Sequence, residues 1–272
     1  MTPSLLVLTD FFQAANGALD YAATLAPPLG ARLVLLHVQR DSLLDPERFS
    51  GEAPDLEHED VDLGFQRLIR DLPGPVAAEI GHGQVADAIA ESVRHHHPTL
   101  LVLGRPNSEN TPDELVTTTS LDILRAVPYP MLVVPHPLPA PHPPRRVLVA
   151  VDGEPFTLGA HAATLRHLLD ALQAELTVVQ VVEGPAPEEI ATEALNSVLS
   201  LGLALPQSVR TRSVSALRPA EGILRVARPT EFDMVILIAR PRSFVSELFH
   251  HSVTAQVLRQ SPIPVLVLPA QE

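Results

Sequence analysis

Short unbroken apolar runs alternate along this chain with longer segments whose apolar positions recur every three to four residues. The runs Leu5–Leu8, Leu33–Val38, Val76–Ile80, Leu100–Leu103 and Met131–Val134 read as strands covered on both faces, because a strand with one wet face alternates apolar and polar residues. Between them the 3.6-residue period predicts helices over Gln13–Leu29, Leu56–Asp71, Val85–His96 and Ser120–Ala126. Gly30 stands where a helix C-terminal glycine belongs. The pattern then begins again. Strands are predicted at Val147–Val151, Leu176–Val182, Ser208–Ser213, Met234–Ile238 and Val265–Leu268, and helices at Leu158–Ala174, Glu188–Leu201, Ala220–Ala227 and Thr254–Gln260. Each copy opens with an apolar strand running into an aspartate, Asp10 or Asp152. Each closes with a helix end, a proline and a last apolar strand.

Strand–helix alternation, met twice, predicts two α/β domains of doubly wound parallel sheet. The expected domains are residues 1–134 and 146–272, joined by a linker at 135–145. Proline at nearly every second linker position favours an extended strap, reaching roughly 30 Å at about 3.1 Å per residue. In such sheets ligands bind beyond the carboxyl ends of the strands, where strand order reverses. That groups Asp10, Val38 and Gly104 in one half, and Asp152, Val181 and Ala239 in the other. The final strands, left alone, would be bare edges, so they are expected to pair and make an internal pseudo-dimer.

Composition narrows the function classes. The formal net charge of −13 over 272 residues argues against nucleic acid, which needs a basic face. The absence of cysteine excludes disulfides, thiol redox chemistry and thiolate metal sites. No stretch reaches the roughly 18 unbroken apolar residues of a membrane helix, and no signal peptide is visible at the N-terminus. Membrane insertion is not expected, and the cytoplasm is the expected location. No nucleophile, base and orienter assemble in the sequence. His95, His96 and His97 are adjacent, and adjacent helix positions point apart, so they are not expected to converge on a metal. Their place at a helix C-terminus suits the dipole. His37 reads as a satisfied core histidine, and Glu57–Asp60 as a solvated charged face.

Several segments carry a resemblance to the universal stress protein family in its tandem form. They are Thr9-Asp10-Phe11, Leu35-Leu36-His37-Val38 and Val102-Leu103-Gly104 in the first half. In the second they are Ala150-Val151-Asp152-Gly153, Arg218–Leu224 and Ser252-Val253-Thr254. The resemblance covers essentially the whole chain and rests on order and spacing met twice. It implies two flavodoxin-like domains of the adenine-nucleotide α-hydrolase type, each a five-stranded parallel sheet with helices on both faces. For members that bind ATP it also implies a loop Gly-x2-Gly-x9-Gly-Ser/Thr after the fourth strand. Its glycines and helix start cradle phosphate. The first-strand aspartate holds the adenine or ribose end, and the residue matching Val38 meets the adenine.

Laid on that pattern, the first half keeps the spacing as Gly104, Asn107 and Thr117, followed by Thr118, Thr119 and Ser120. Asparagine tolerates a left-handed backbone, whereas β-branched Thr117 resists it. Glu109, Asp113 and Glu114 would repel phosphate, and Arg105 is the loop's single base. The alternative for Thr117–Ser120 is a helix N-cap. The second half has Ala239 and Arg242 at the first two glycine positions, a loop one residue shorter, and His251 ahead of Ser252, Val253 and Thr254. Its charge is favourable through Arg240, Arg242, His250 and His251, while Phe244, Leu248 and Phe249 are bulky. For Asp10 and Asp152 a ligand role and a turn-capping role are both open.

The leading expectation is a stress-response protein with degenerate nucleotide sites that acts by binding. An adenine nucleotide such as ATP is the implied ligand, with the first half favoured. The alternatives are an ATP sensor with slow or no hydrolysis, and a scaffold for a protein partner or apolar ligand. A homodimer is compatible with each.

Overall fold

The computed structural model describes residues 2–10, 13–39, 58–70, 72, 74–105, 113–138, 140–185, 192–202, 209–240 and 252–271, apart from the side chains of Gln13, 58–62 and 113–119. The first half comprises β1 (Ser4–Thr9), α1 (Gln13–Leu29), β2 (Arg32–Gln39), α2 (His58–Ile69), β3 (Val76–His82), α3 (Val85–His96), β4 (Leu100–Arg105), α4 (Asp113–Ala126) and β5 (Met131–Pro135). The second comprises β6 (Arg146–Val151), α5 (His161–Leu172), β7 (Glu175–Val182), α6 (Thr192–Ser200), β8 (Arg210–Ser215), α7 (Pro219–Val226), β9 (Met234–Ala239), α8 (Val253–Gln260) and β10 (Val265–Pro269).

The two expected five-stranded sheets are fused into one ten-stranded sheet of order β3-β2-β1-β4-β5-β10-β9-β6-β7-β8. Neighbours run parallel except at the centre, where β5 and β10 pair antiparallel with Leu132 opposite Leu266. The final strands therefore pair as expected. Both faces of the sheet are covered, so successive residues of one strand enter different cores. Leu5, Val7, Leu33 and Leu35 face α1 and α5, while Leu6, Val34 and Leu36 belong to the core on the opposite face, with α3 and α4. This two-sided burial is why the strands read as unbroken apolar runs. Each core runs through both halves, with α1 packed on α5 and α4 on α8. The Tyr129 ring meets the His161 ring edge-on at 5.4 Å across the join.

Local signals explain most boundaries. Helix α1 ends in Gly30 at φ 56°, and Ala31 N donates to Ala26 O at 2.9 Å, the expected glycine-terminated helix end. Strand β8 lies two residues beyond the expected start and end, at Arg210–Ser215. It is an edge strand of alternating polar residues, so no apolar run marks it. No helix among the described residues is long and apolar enough to cross a membrane.

Candidate functional site

Strand order reverses between β1 and β4 in the first half, and between β6 and β9 in the second. The carboxyl ends of these strands carry the predicted residues. In the first half Thr9 is buried and Asp10 exposed at the end of β1, with Val38 half-buried near the end of β2. His37 Nδ1 lies 3.0 Å from Thr9 O, so its ring ties β2 to β1, the structural role expected of it.

Gly104 sits directly beneath the start of α1. A Cβ there would lie 2.2 Å from Ala14 O and 2.8 Å from Ala15 N, closer than any real contact. The glycine is thus required by helix–strand packing, whatever it does for a ligand. Arg105, the loop's base, reaches into the other half. Its guanidinium donates to Arg259 O, and to Ser261 O at 2.6 Å, capping carbonyls at the end of α8.

Helix α4 begins at Asp113, seven residues before the expected Ser120 start. Thr117, Thr118, Thr119 and Ser120 therefore lie within the helix, which overturns the reading of them as its N-cap; Ser120 is buried. The sequence carries a start pattern ahead of Asp113. Thr111-Pro112-Asp113-Glu114 has the Thr-x-x-Glu spacing of a capping box with proline at the second position. Asn107 and Glu109 lie outside the described residues, as do the side chains of Asp113, Glu114 and Thr117–Thr119.

In the second crevice the described charged groups pair with one another. Arg240, just beyond β9, turns its guanidinium onto Asp152 at the end of β6, with Nε 2.6 Å from Oδ2 and Nη2 2.7 Å from Oδ1. The same guanidinium donates to Glu154 O at 3.0 Å and Pro155 O at 3.1 Å. Asp152 Oδ1 also accepts the Glu154 amide at 3.1 Å, an aspartate turn. Burial would raise the Asp152 carboxyl, but the Arg240 hydrogen bonds and the Glu154 amide outweigh it and hold it below the usual range. Sequence reasoning missed this pair and counted Arg240 as a base for a bound anion. The partners are 88 residues apart and meet only because β6 and β9 are neighbours.

Several of the other predicted groups make contacts within the fold. Val181 is packed so closely by α7 that a Cβ on Gly222 would fall 2.6 Å from its Cγ1. Ala239 is buried. Ser252 caps α8, its Oγ accepting Ala255 N at 3.1 Å, and Thr254 is buried while Val253 is half-buried. Arg242, Phe244, Leu248, Phe249, His250 and His251 lie outside the described residues.

Removing the fork gives a direct prediction. Arg240→Ala is expected to cost about 1–2 kcal/mol, the loss of charge-assisted hydrogen bonds discounted because Asp152 is half-exposed. The Asp152 carboxyl should titrate nearer the ordinary value of about 3.9. Urea unfolding checks the first effect, and carboxyl chemical shifts followed against pH check the second.

One further constellation departs from expectation. His97 ends α3 with a left-handed backbone, φ 44°. His95 and His96 do not diverge: their rings lie 4.5 Å apart, and ligand atoms of both fall within 4.8 Å of each other and of a Glu79 oxygen. Strand β3 supplies Glu79, and His97 stands outside the group.

The sequence model of the universal stress protein family matches residues 1–135 and again residues 144–269. Among solved structures, a universal stress protein from Archaeoglobus fulgidus is similar over 98% of both chains, at 18% identity and a TM-score of 0.73. A putative universal stress protein from Pseudomonas aeruginosa is similar over 99% of this chain and 94% of its own, at 16% identity and a TM-score of 0.62. The cytoplasmic domain of a prokaryotic cation chloride cotransporter is similar over 99% of this chain and 96% of its own, at 13% identity and a TM-score of 0.54. At these identities the likeness is one of fold. No curated protein sequence matches.

Proposed function

The chain belongs to the universal stress protein family, and from that premise we propose that it acts in a stress response by binding and not by turnover. Its two nucleotide sites are degenerate to different degrees. The observation that carries this reading is the Arg240 fork on Asp152. An aspartate committed to a guanidinium and an aspartate turn has its acceptors occupied, and a ligand there must first displace a charge-assisted pair. The second half is therefore the closed one.

The first half is the better candidate for residual adenine-nucleotide binding. Asp10 is exposed at the switch point, with Val38 nearby on β2. Two features weaken the phosphate end. Gly104 is committed to packing under α1, and Arg105 to the carbonyls of α8. A nucleotide held here is gripped at its nucleoside end, and extra phosphates add no affinity against Glu109, Asp113 and Glu114. The cytoplasm is the proposed location, and hydrolysis is at most slow.

The test is to purify the chain without added nucleotide, denature it and identify what is released by chromatography and mass spectrometry. The proposal expects no stoichiometric ATP. One equivalent of ATP per chain would refute it and favour the ATP sensor.

A further inference from the structure

We propose that Glu79, His95 and His96 form a site for a divalent transition-metal ion of the Zn2+ class, away from both nucleotide crevices. Glu79 lies on β3, and the two histidines occupy the last turn of α3. Their ligand atoms already fall within 4.8 Å of one another, and His96 Nε2 stands 2.9 Å from Glu79 Oε2. Tetrahedral zinc with bonds of about 2.0–2.1 Å needs ligand atoms roughly 3.4 Å apart. Closing that gap requires rotation of His95, which is exposed and whose ring lies 4.5 Å from that of His96. Two imidazoles and one carboxylate suit Zn2+, Co2+ or Ni2+ better than Ca2+ or Mg2+, which prefer an all-oxygen shell. Three protein ligands on an open face leave a further position for water.

The surroundings support the set. Ser92 Oγ donates to Glu79 Oε2 at 2.9 Å and orients the carboxylate, as outer-shell partners of metal ligands do. The carbonyl end of α3 favours a cation. One neighbour opposes it. Arg32 Nη2 lies 3.4 Å from His96 Nδ1, and arginine has only donors, so Nδ1 accepts and the ring proton sits on Nε2, facing Glu79. A metal at Nε2 sends that proton to Nδ1 and turns Arg32 away. Arg32 therefore weakens the site that Ser92 supports.

The test is calorimetric titration of the full chain with Zn2+, paralleled by Co2+ and its visible absorption. One saturable equivalent is expected, with the Co2+ band intensity of a low-coordinate nitrogen–oxygen site. His95→Ala and Glu79→Gln should each weaken it by more than the roughly 10- to 100-fold typical of losing an outer-shell partner. His95 is exposed, so His95→Ala tests the site without disturbing the fold. Ser92→Ala should weaken binding about tenfold, Arg32→Ala should tighten it, and His142→Ala, at an exposed linker histidine, should leave it unchanged. The proposal is overturned by the absence of a saturable equivalent, by an equivalent that survives His95→Ala and Glu79→Gln, or by weaker binding in Arg32→Ala.

Discussion

Replacing Gly104 with alanine is expected to destabilise the protein by about 3 kcal/mol or more, near the upper end of overpacking effects. The added methyl would meet backbone, not a movable side chain: Ala14 O at 2.2 Å, Ala14 C at 2.4 Å and Ala15 N at 2.8 Å. Relief requires α1 to lift from β4, and α1 is a main wall of one core, with Ala18, Leu19, Tyr21, Ala22 and Leu25 all buried. A loss of 3 kcal/mol corresponds to roughly 6–12 °C in melting temperature for a chain of this size. Differential scanning calorimetry reads it. The same substitution separates two roles of the glycine. If Gly104 served only to admit phosphate, the variant would melt like the parent and lose ligand affinity alone. The second half shows why the residue differs there. Ala239 takes the equivalent place, and the connection from Asp152 to α5 at His161 is longer than that from Asp10 to α1 at Gln13. The following helix does not have to start over the strand end.

Asp233→Ala is expected to cost about 3 kcal/mol. The carboxylate is 8% exposed. Its Oδ2 accepts the amides of Arg145 and Arg146 at 2.9 and 2.8 Å, and its Oδ1 accepts Arg146 Nε and Nη2 at 3.1 and 2.5 Å. It thereby pins the start of β6 to the turn before β9. Truncation leaves these donors without the carboxylate, which places the cost at the low end of breaking a buried pair, since Arg146 is partly exposed. Burial would raise this carboxyl, but the hydrogen bonds from the Arg146 side chain and the Arg146 and Arg145 amides outweigh it and hold it below the usual range. The sign follows from that depression. The stabilisation is fully present above the unfolded value of about 3.9 and is lost as pH falls through the lower folded value. The deficit of Asp233→Ala against the parent should therefore be constant near neutral pH and shrink below about pH 4. Urea melts of both proteins across pH measure it, and a deficit that grew on acidification would refute the assignment.

Gly104 and Arg240 mark where sequence reading stopped. The strands and most helices were legible because two-sided burial leaves unbroken apolar runs and amphipathic helices between them. Pairing of β5 with β10 was legible from the need to cover two apolar edges. Strand β8 was displaced because its residues Arg210–Ser215 carry no apolar run, and α4 was shortened because a run of hydroxyl residues looked like a cap while Thr111–Glu114 went unread. The roles of Gly104 and Arg240 depend on contacts across about 90 residues, Gly104 with Ala14 and Arg240 with Asp152. Gly104 resembled a phosphate glycine, and its packing role needs the position of α1. Arg240 resembled a base awaiting an anion, and its partner appears only once β6 and β9 stand side by side. Arg105 stands one residue past the glycine as Arg240 stands one past Ala239, yet it points into the opposite half. The halves agree in backbone plan and differ in what their arginines hold.

That difference is tested most directly by titrating nucleotide-stripped protein with AMP and with ATP in a calorimeter. An Asp152 committed to Arg240 and an Arg105 committed to the carbonyls of α8 predict at most one weak site per chain, with ATP bound no more tightly than AMP. Two equivalents of ATP, or micromolar ATP binding that far exceeds that of AMP, would contradict both the closure by Arg240 and the loss of the phosphate grip.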